Sequence, residues 1–247
     1  MKQSILNLQK TALLVASFVI CVSINAQSAN SNKKTHSRPL KNINYMAVNG
    51  RIGAGYSPTK LNENNNWSAS SGLPLSFSVG FNFILKNSWG FDLQIAEEIV
   101  SHQVSNIGPN YKTGYMATGA EIGVKKNFSK KKDDSFYIRA AFGYNFLIIS
   151  NKSGGDDYYN YSSSANGSSM YILPEFGYQL RLPSPRHLFN FSVNYKYSLS
   201  EVAHSNMLYT DKGNASESNT LSMSGTSFGA NISYVFILKG FENIERK

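Results

Sequence analysis

The sequence predicts an all-β fold, an eight-stranded antiparallel up-and-down transmembrane β-barrel, from three observations. Long segments alternate apolar and polar residues with a period of two, which is the period of a strand. Most of these segments exceed the roughly 9–11 residues that a tilted strand needs to cross a bilayer. Short and long polar connections alternate between them, as expected when turns lie on one side of a membrane and loops on the other.

The composition excludes several other classes of protein. The chain has 247 residues, of which 13% are aromatic and 16% charged, so it is not a disordered chain. A single cysteine, Cys21, excludes a disulfide scaffold. The longest nearly apolar run, Leu13 to Val22, falls short of the ~18 residues of a transmembrane helix. The abundance of Tyr, Phe and Gly favours a β-protein with turn-rich loops.

The N-terminal residues 1–26 are predicted to be a secretory signal peptide. Two lysines begin it, an apolar segment follows over 11–22, and Ala26 ends a plausible cleavage region. Residues 27–42 are strongly polar and are expected to lie in the periplasm. Two alternatives are an amphipathic first helix of a soluble domain and lipidation at Cys21.

Eight alternating segments follow and define the predicted barrel domain, residues 43–238. One face of each segment is almost wholly Leu, Ile, Val, Phe and Tyr, while the other mixes small, polar and charged residues. On a helix these apolar groups would surround the axis, so the pattern predicts strands. The predicted strands are 43–56, 73–86, 89–103, 113–128, 135–150, 169–182, 188–200 and 219–238.

The connections predict which side of the membrane each strand end faces. Three short and four long links suit eight strands whose two ends both lie in the periplasm. The barrel must close, because an open sheet edge in lipid would leave backbone groups unpaired. These features predict a cell outer membrane location in contact with its lipid. The short links fall near 86–88, 129–134 and 183–187, the long ones near 57–72, 104–112, 151–168 and 201–218, and a polar tail near 239–247.

The last alternating stretch, Ser227 to Phe236, resembles the final strand of small Gram-negative outer-membrane barrels of the OmpA and OmpX kind, the outer membrane protein β-barrel domain group. The resemblance covers about 43–238. It implies an outer-membrane barrel whose last strand, ending in an aromatic residue, is recognised by the barrel-assembly machinery. This chain departs from the pattern by continuing through Ile237 and Leu238 into the tail. No peptidoglycan-binding domain follows, so the anchoring role of OmpA is not expected.

Charged residues on the predicted lumen face number four acids and five bases. The lumen of an eight-stranded barrel is just wide enough for side chains to fill it. Charges in so small a space must pair, which predicts a salt-bridged plug with Glu121 and Arg139 as partners; the alternative is a narrow ion path. The predicted lumen residues are Arg51, Asp92, Glu98, Glu121, Lys125, Arg139, Glu175, Arg181 and Lys196, with Gln94 and Gln179 among them.

Aromatic residues outside the lumen are predicted to serve two purposes. Those near strand ends suit the headgroup level of the membrane. Those in the long loops are candidates for surface binding, because aromatic side chains amid Ser, Asn and Gly make adaptable contacts. The interface group is Tyr56, Trp89, Tyr144, Tyr178, Tyr195, Tyr197 and Tyr234, and the binding candidates are Trp67, Tyr158, Tyr159 and Tyr161.

Residues for catalysis are sparse. No phosphate-binding loop or zinc motif is present, so no metal, cofactor or nucleic-acid partner is predicted. His204, Ser205 and Glu217 could form a weak acyl-transfer triad, with His102 as an alternative base. The His204-Ser205-Asn206 element is similar to one in the outer-membrane lipid A deacylases, where one residue separates His from Ser. Adjacent residues of a strand point to opposite sides, which argues against the triad.

Three functions therefore follow from the sequence. The leading hypothesis is a non-enzymatic outer-membrane barrel with a structural, adhesive or surface-binding role through its external loops. An accessory of envelope assembly or protein secretion, resembling the PorT group, is the second. A lipid hydrolase of the lipid A deacylase kind is the third. The sequence does not identify an extracellular ligand.

Overall fold

The computed structural model describes residues 44–61, 67–70, 72–85, 88–105, 110–129, 135–148, 153–155, 159–182, 186–210 and 216–241. The predicted signal peptide and the polar segment 27–42 lie outside these residues. Within the described ranges, no helix is long and apolar enough to cross a membrane.

Fourteen β-strands form two sheets over the described residues. Eight of these strands are long and pair antiparallel with their neighbours in the chain, and the pairing of the first with the last closes the barrel. The strands are β1 Asn44–Tyr56, β2 Thr59–Leu61, β3 Ser68–Ser70, β4 Leu75–Ile84, β5 Trp89–Ser105, β6 Asn110–Ser129, β7 Ser135–Ile148, β8 Ser153–Gly155, β9 Tyr159–Ala165, β10 Ser168–Arg181, β11 His187–Ser198, β12 Ala203–Thr210, β13 Ser216–Met223 and β14 Ser227–Phe241.

The barrel consists of β1, β4, β5, β6, β7, β10, β11 and β14. Following paired residues once around it from Trp89 leads back to β5 at Ile99, ten residues further along. This stagger is the shear that accompanies strand tilt in a closed barrel. The predicted fold is confirmed, and closure leaves no unpaired sheet edge in the lipid.

The outer face of the barrel is an apolar belt. Large side chains such as Phe81, Leu93 and Phe142 are exposed on it, while polar side chains of the same strands are buried inside. Such an inside-out distribution would be unstable in water, because a soluble protein rarely exposes so large an apolar patch. Aromatic residues lie near both ends of the belt, including Tyr56 at one end and Trp89 at the other, as at membrane interfaces. The belt places the barrel in the outer membrane.

A second sheet, in the order β2-β13-β12-β9-β8, continues the wall beyond the barrel on the long-loop side. We use the name extension for this sheet together with β3, the part of β5 after Ile99 and the part of β6 before Met116, which is the partner of Ile99. The predicted long connections 57–72, 151–168 and 201–218 do join barrel strands, but they are partly regular, because they contain short strands. The predicted loop 104–112 is also too long, since β5 and β6 pair up to Ser105 and Asn110.

The last predicted strand, 219–238, is two strands in different sheets. Gly225 separates β13 from β14 and has φ +72°, a conformation that L side chains rarely adopt. A Cβ at this position would also overlap the Val202 side chain. The chain turns at Gly225 from the extension into the barrel, and β14 then runs past the predicted end to Phe241, which pairs with Asn44.

Two apolar clusters close the interior at its two ends. The periplasmic cluster comprises Tyr45, Ala47, Ile84, Leu188 and Val235. The other cluster, which we call the cap, lies inside the extension and joins its two sheets. It comprises Trp67, Val100, Val104, Tyr115, Ala117, Val202, Ala203, Met207, Leu221 and Met223.

Candidate functional site

Arg139 lies at the centre of the lumen, between the two apolar clusters. Its guanidinium binds Asp92, with Nη2–Oδ1 and Nε–Oδ2 distances of 2.5 and 2.8 Å. It also binds Glu121, and Glu175 at 3.2 Å. All four side chains are buried. Arginine suits this position because its planar fork of donors can serve several carboxylates at once.

Arg51 provides the second cation of this cluster. It contacts Glu121 at 3.2 Å and Glu175 at 3.1 Å, so each of these carboxylates lies between two arginines. Polar side chains extend the network across the lumen, because Arg51 donates to Ser78 at 3.1 Å and Ser78 donates to Gln94 at 2.7 Å. The cluster thereby cross-links strands on opposite sides of the barrel.

Two tyrosines position the carboxylates. Tyr137 donates to Glu175 at 2.7 Å, and Tyr171 donates to Glu121 at 3.0 Å. Each ring lies over a glycine of the neighbouring strand: a Cβ on Gly177 would overlap Tyr137, and one on Gly143 would overlap Tyr171. Glycine is therefore required at both positions, and the flat rings fill the lumen beside the ion pairs.

Two lysines complete the lumen charges. Lys125 donates to Gln179 at 3.1 Å and lies 3.8 Å from the centre of the Tyr137 ring. Lys196 pairs with Glu98 and lies 4.5 Å from the centre of the Tyr171 ring. The Glu98–Lys196 pair lies nearer the extracellular end, bordering a small cavity of about 50 Å³.

The structure brings most of the predicted lumen residues together. Five of the nine charged residues form the cluster around Arg139, and Glu98 pairs with Lys196 above it. Arg181 lies apart, half-buried near the periplasmic end of β10. Sequence reasoning missed the roles of Tyr137 and Tyr171. The available signal was a large tyrosine on the lumen face opposite a glycine.

The structure places two of the triad candidates, Ser205 and His204, on opposite faces of β12. Ser205 is fully buried and hydrogen-bonds to Ser163 at 2.8 Å, which in turn bonds to Thr113 at 3.1 Å. His204 lies on the opposite face of β12, where it contacts Ser164 at 2.7 Å. Glu217 lies in β13 opposite Tyr209, and its side chain is outside the described residues.

His102 is a structural residue of the extension, above the membrane-spanning part of β5. Its side chain is buried, and its Nδ1 accepts a hydrogen bond from the Gly72 backbone N–H at 3.2 Å. This bond requires an unprotonated Nδ1. Burial lowers the pKa of His102 from 6.5 to about 4, because a charged imidazolium would lose its hydration.

The loop aromatics differ from expectation. Trp67 is 6% exposed and packs in the cap, so the prediction that it offers a surface contact is wrong. The Trp67 ring packs among the apolar residues of the cap. The polar sequence around Trp67 gives no sign of these distant partners. Tyr159 and Tyr161 lie in β9, but their side chains are outside the described part of the structure. Tyr158 lies entirely outside the described residues.

The outer face of the extension is polar instead. It carries hydroxyl and amide groups in register on neighbouring strands, for example Thr220 donating to Asn206 at 2.9 Å. Among the described residues, no group of three or more His, Cys, Asp or Glu side chains could hold a metal ion. The described outer-face residues include Asn160, Ser162, Ser164, His204, Asn206, Leu208, Ser218, Thr220 and Ser222.

No protein-family model matches the sequence, and no curated protein matches it. In structure, the chain is similar to the outer membrane protein OprG from Pseudomonas aeruginosa, with 14% identity over 83% of this chain and 99% of that chain and a TM-score of 0.48. The outer membrane protein AlkL, solved in DMPC bilayers, gives 12% identity, 87% and 100% coverage and a TM-score of 0.44. Neisserial surface protein A is 13% identical over 76% of this chain and 95% of that chain, with a TM-score of 0.42. At these identities the likeness concerns the fold alone.

The closed barrel, its apolar belt and its buried polar interior together define an outer-membrane β-barrel protein.

Proposed function

We propose that the protein is a non-enzymatic outer-membrane barrel that binds partners at the cell surface through the outer face of its extension. The observation that carries this proposal is the closure of the interior at three successive levels. The periplasmic cluster, the ion-pair network around Arg139 and the cap follow one another along the barrel axis. A barrel filled in this way supports a surface rather than a transport path.

The extension suits a binding role because it is both supported and exposed. Its inner face packs on the cap, through residues such as Met207 and Leu221, which holds the sheet in one shape. Its outer face presents Ser, Thr and Asn side chains that can donate and accept hydrogen bonds. A polar face of this kind fits hydrogen-bonding partners such as glycans or protein surfaces.

The arrangement of Ser205 and His204 argues against the hydrolase alternative. A nucleophile must reach its substrate and its base, whereas Ser205 is 0% exposed and bonds to another serine. His204 projects from the other side of the same strand. We therefore expect no release of fatty acid from lipid A or phospholipid by the purified protein, and unchanged folding in Ser205→Ala.

The proposal is tested with cells that display the barrel. Wild-type cells should bind at least one member of a panel of glycans and extracellular-matrix proteins, and the double variant Asn206→Ala/Thr220→Ala should lose that binding while remaining folded. Arg186→Ala, at the exposed periplasmic end, is the control and should bind like wild type. Equal binding by cells with and without the protein across the panel would refute the proposal. Copurification with envelope machinery would then favour the accessory role.

A further inference from the structure

The lipid-facing wall of the barrel contains a concave apolar groove of about 730 Å³. One row of paired outward residues runs along it, from Leu75 through Ala54, Ala230 and Val193 to Phe176. The two paired alanines form a low floor in a belt that otherwise carries large side chains. Phe191 and Ile232 are paired in the next outward-facing row, and their larger side chains form one side wall of the groove.

The groove has the dimensions of one leaflet. It crosses five neighbouring strands, so its length is four spacings of ~4.8 Å, or about 19 Å. Its row runs perpendicular to strands that tilt by roughly 35–45°, so it descends through about 12 Å. A leaflet has a hydrocarbon depth of about 15 Å. Leu75 begins β4 and Ala54 lies near the end of β1, which places the upper end at the extracellular side.

A carboxylate lies beside this upper end. Glu97 is on the face of β5 that carries the exposed Ile95, and it is paired with Phe77, a lining residue of the groove. Its Oε1 is buried and has no hydrogen-bond partner among the described residues. The carboxylate as a whole is only half-buried, and an acceptor left without a partner is costly, so a headgroup donor that reaches this carboxylate would stabilise it.

We propose that the groove is a binding site for one acyl chain of an outer-leaflet lipid, whose headgroup donates a hydrogen bond to Glu97. An acyl chain lying on the alanine floor is contacted by side chains from below and from its sides. In lipid, binding comes from these dispersion contacts and not from leaving water. A flat part of the belt offers contacts from one side only, so the groove should hold its chain longer than the rest of the belt.

The test uses the purified barrel in nanodiscs containing phosphatidylethanolamine with a photoactivatable diazirine in its acyl chain. Mass spectrometry should locate crosslinks along the groove, several-fold above other belt positions. Ala54→Phe and Ala230→Phe, which fill the floor, should lower groove labelling several-fold. Ala140→Phe is the matched control, because Ala140 faces lipid outside the groove, and it should leave the labelling unchanged. Uniform labelling around the belt would overturn the site.

Two further outcomes separate the parts of the proposal. Glu97→Met, which has no strong acceptor, should abolish a labelling preference for phosphatidylethanolamine over phosphatidylcholine, which has no N–H donor. The absence of any such preference in the wild type would refute the role of Glu97. Disulfide crosslinks between two copies of an Ala54→Cys variant would show that a second barrel, and not a lipid chain, occupies the groove, and would overturn the proposal.

Discussion

At the scale of single residues, the interior depends on Arg139. This one side chain serves three buried carboxylates that belong to three different strands. Buried charges are costly unless they are paired and hydrogen-bonded, and here the geometry pairs each of them. Asp92, Glu121 and Glu175 would lose a common partner if the guanidinium were removed.

Replacing Arg139 by Met should destabilise the barrel by about 3–5 kcal/mol, because it leaves buried carboxylates with fewer cations. The measurement is urea-induced unfolding of the purified barrel in lipid vesicles. Arg186→Met removes an equal charge at an exposed site and is the control. Equal unfolding midpoints for the two variants would show that the cluster contributes little to stability.

The tyrosine–glycine pairs give a second residue-level prediction. Gly143→Ala should cost about 1–3 kcal/mol, the usual range for overpacking, because the new Cβ displaces the Tyr171 ring from Glu121. Tyr171→Ser removes the obstacle, so the same Gly143→Ala change made in that background should cost clearly less. An additive double mutant in the same unfolding assay would contradict this account of the pair.

At the scale of the element, the extension combines two sheets around the cap, and His102 makes its stability depend on pH. The folded extension holds this imidazole neutral, with a pKa of about 4 in place of 6.5. The unfolded extension therefore binds the proton more readily, so stability is complete above about pH 6.5 and decreases as the pH falls towards 4. The largest loss is about 3 kcal/mol.

Fluorescence of the buried Trp67 can follow this loss during thermal melting in a Trp89→Phe background. We expect the melting temperature of the extension to fall between pH 6.5 and 4 in this protein. In His102→Gln, which has no titrating group at this position, the decrease should be much smaller. His204→Gln is the control and should keep the full decrease. A pH profile that His102→Gln leaves unchanged would contradict the assignment.

The sidedness of the elements is checked by cysteine labelling in intact cells. Lys60 and Asn206 lie exposed on the extension, and Arg186 lies exposed at the opposite end of the barrel. An impermeant thiol reagent should label Lys60→Cys and Asn206→Cys but not Arg186→Cys. The reverse pattern would invert the topology.

Strands that cross the bilayer could be predicted from the sequence because the membrane imposes both their length and their alternation. The Glu121–Arg139 contact was equally predictable, since both residues lie on the lumen face of neighbouring strands. The extension could not be predicted from the sequence, because its strands are short and their sequences are as polar as those of loops. Gly225 interrupts an alternation that otherwise continues, and the burial of Trp67 depends on partners far away in the chain, from Val100 to Leu221.

At the scale of the whole molecule, the barrel is closed along its axis. The interior of an eight-stranded barrel is narrow, and here apolar side chains fill both ends while paired charges fill the middle. Lumen charges of both signs neutralise one another, in contrast to the rings of one sign that line ion-selective pores. The molecule is therefore expected to present a surface and to conduct no ions.

Conductance of the purified monomer in planar lipid bilayers tests this account most directly. The wild type should show no steady channels at membrane potentials that leave the barrel intact. Arg139→Met, which loosens the network, is the comparison under the same conditions and is expected to raise the frequency of brief openings. Large, stable channels formed by the wild-type monomer would contradict both the closed lumen and the proposed surface function.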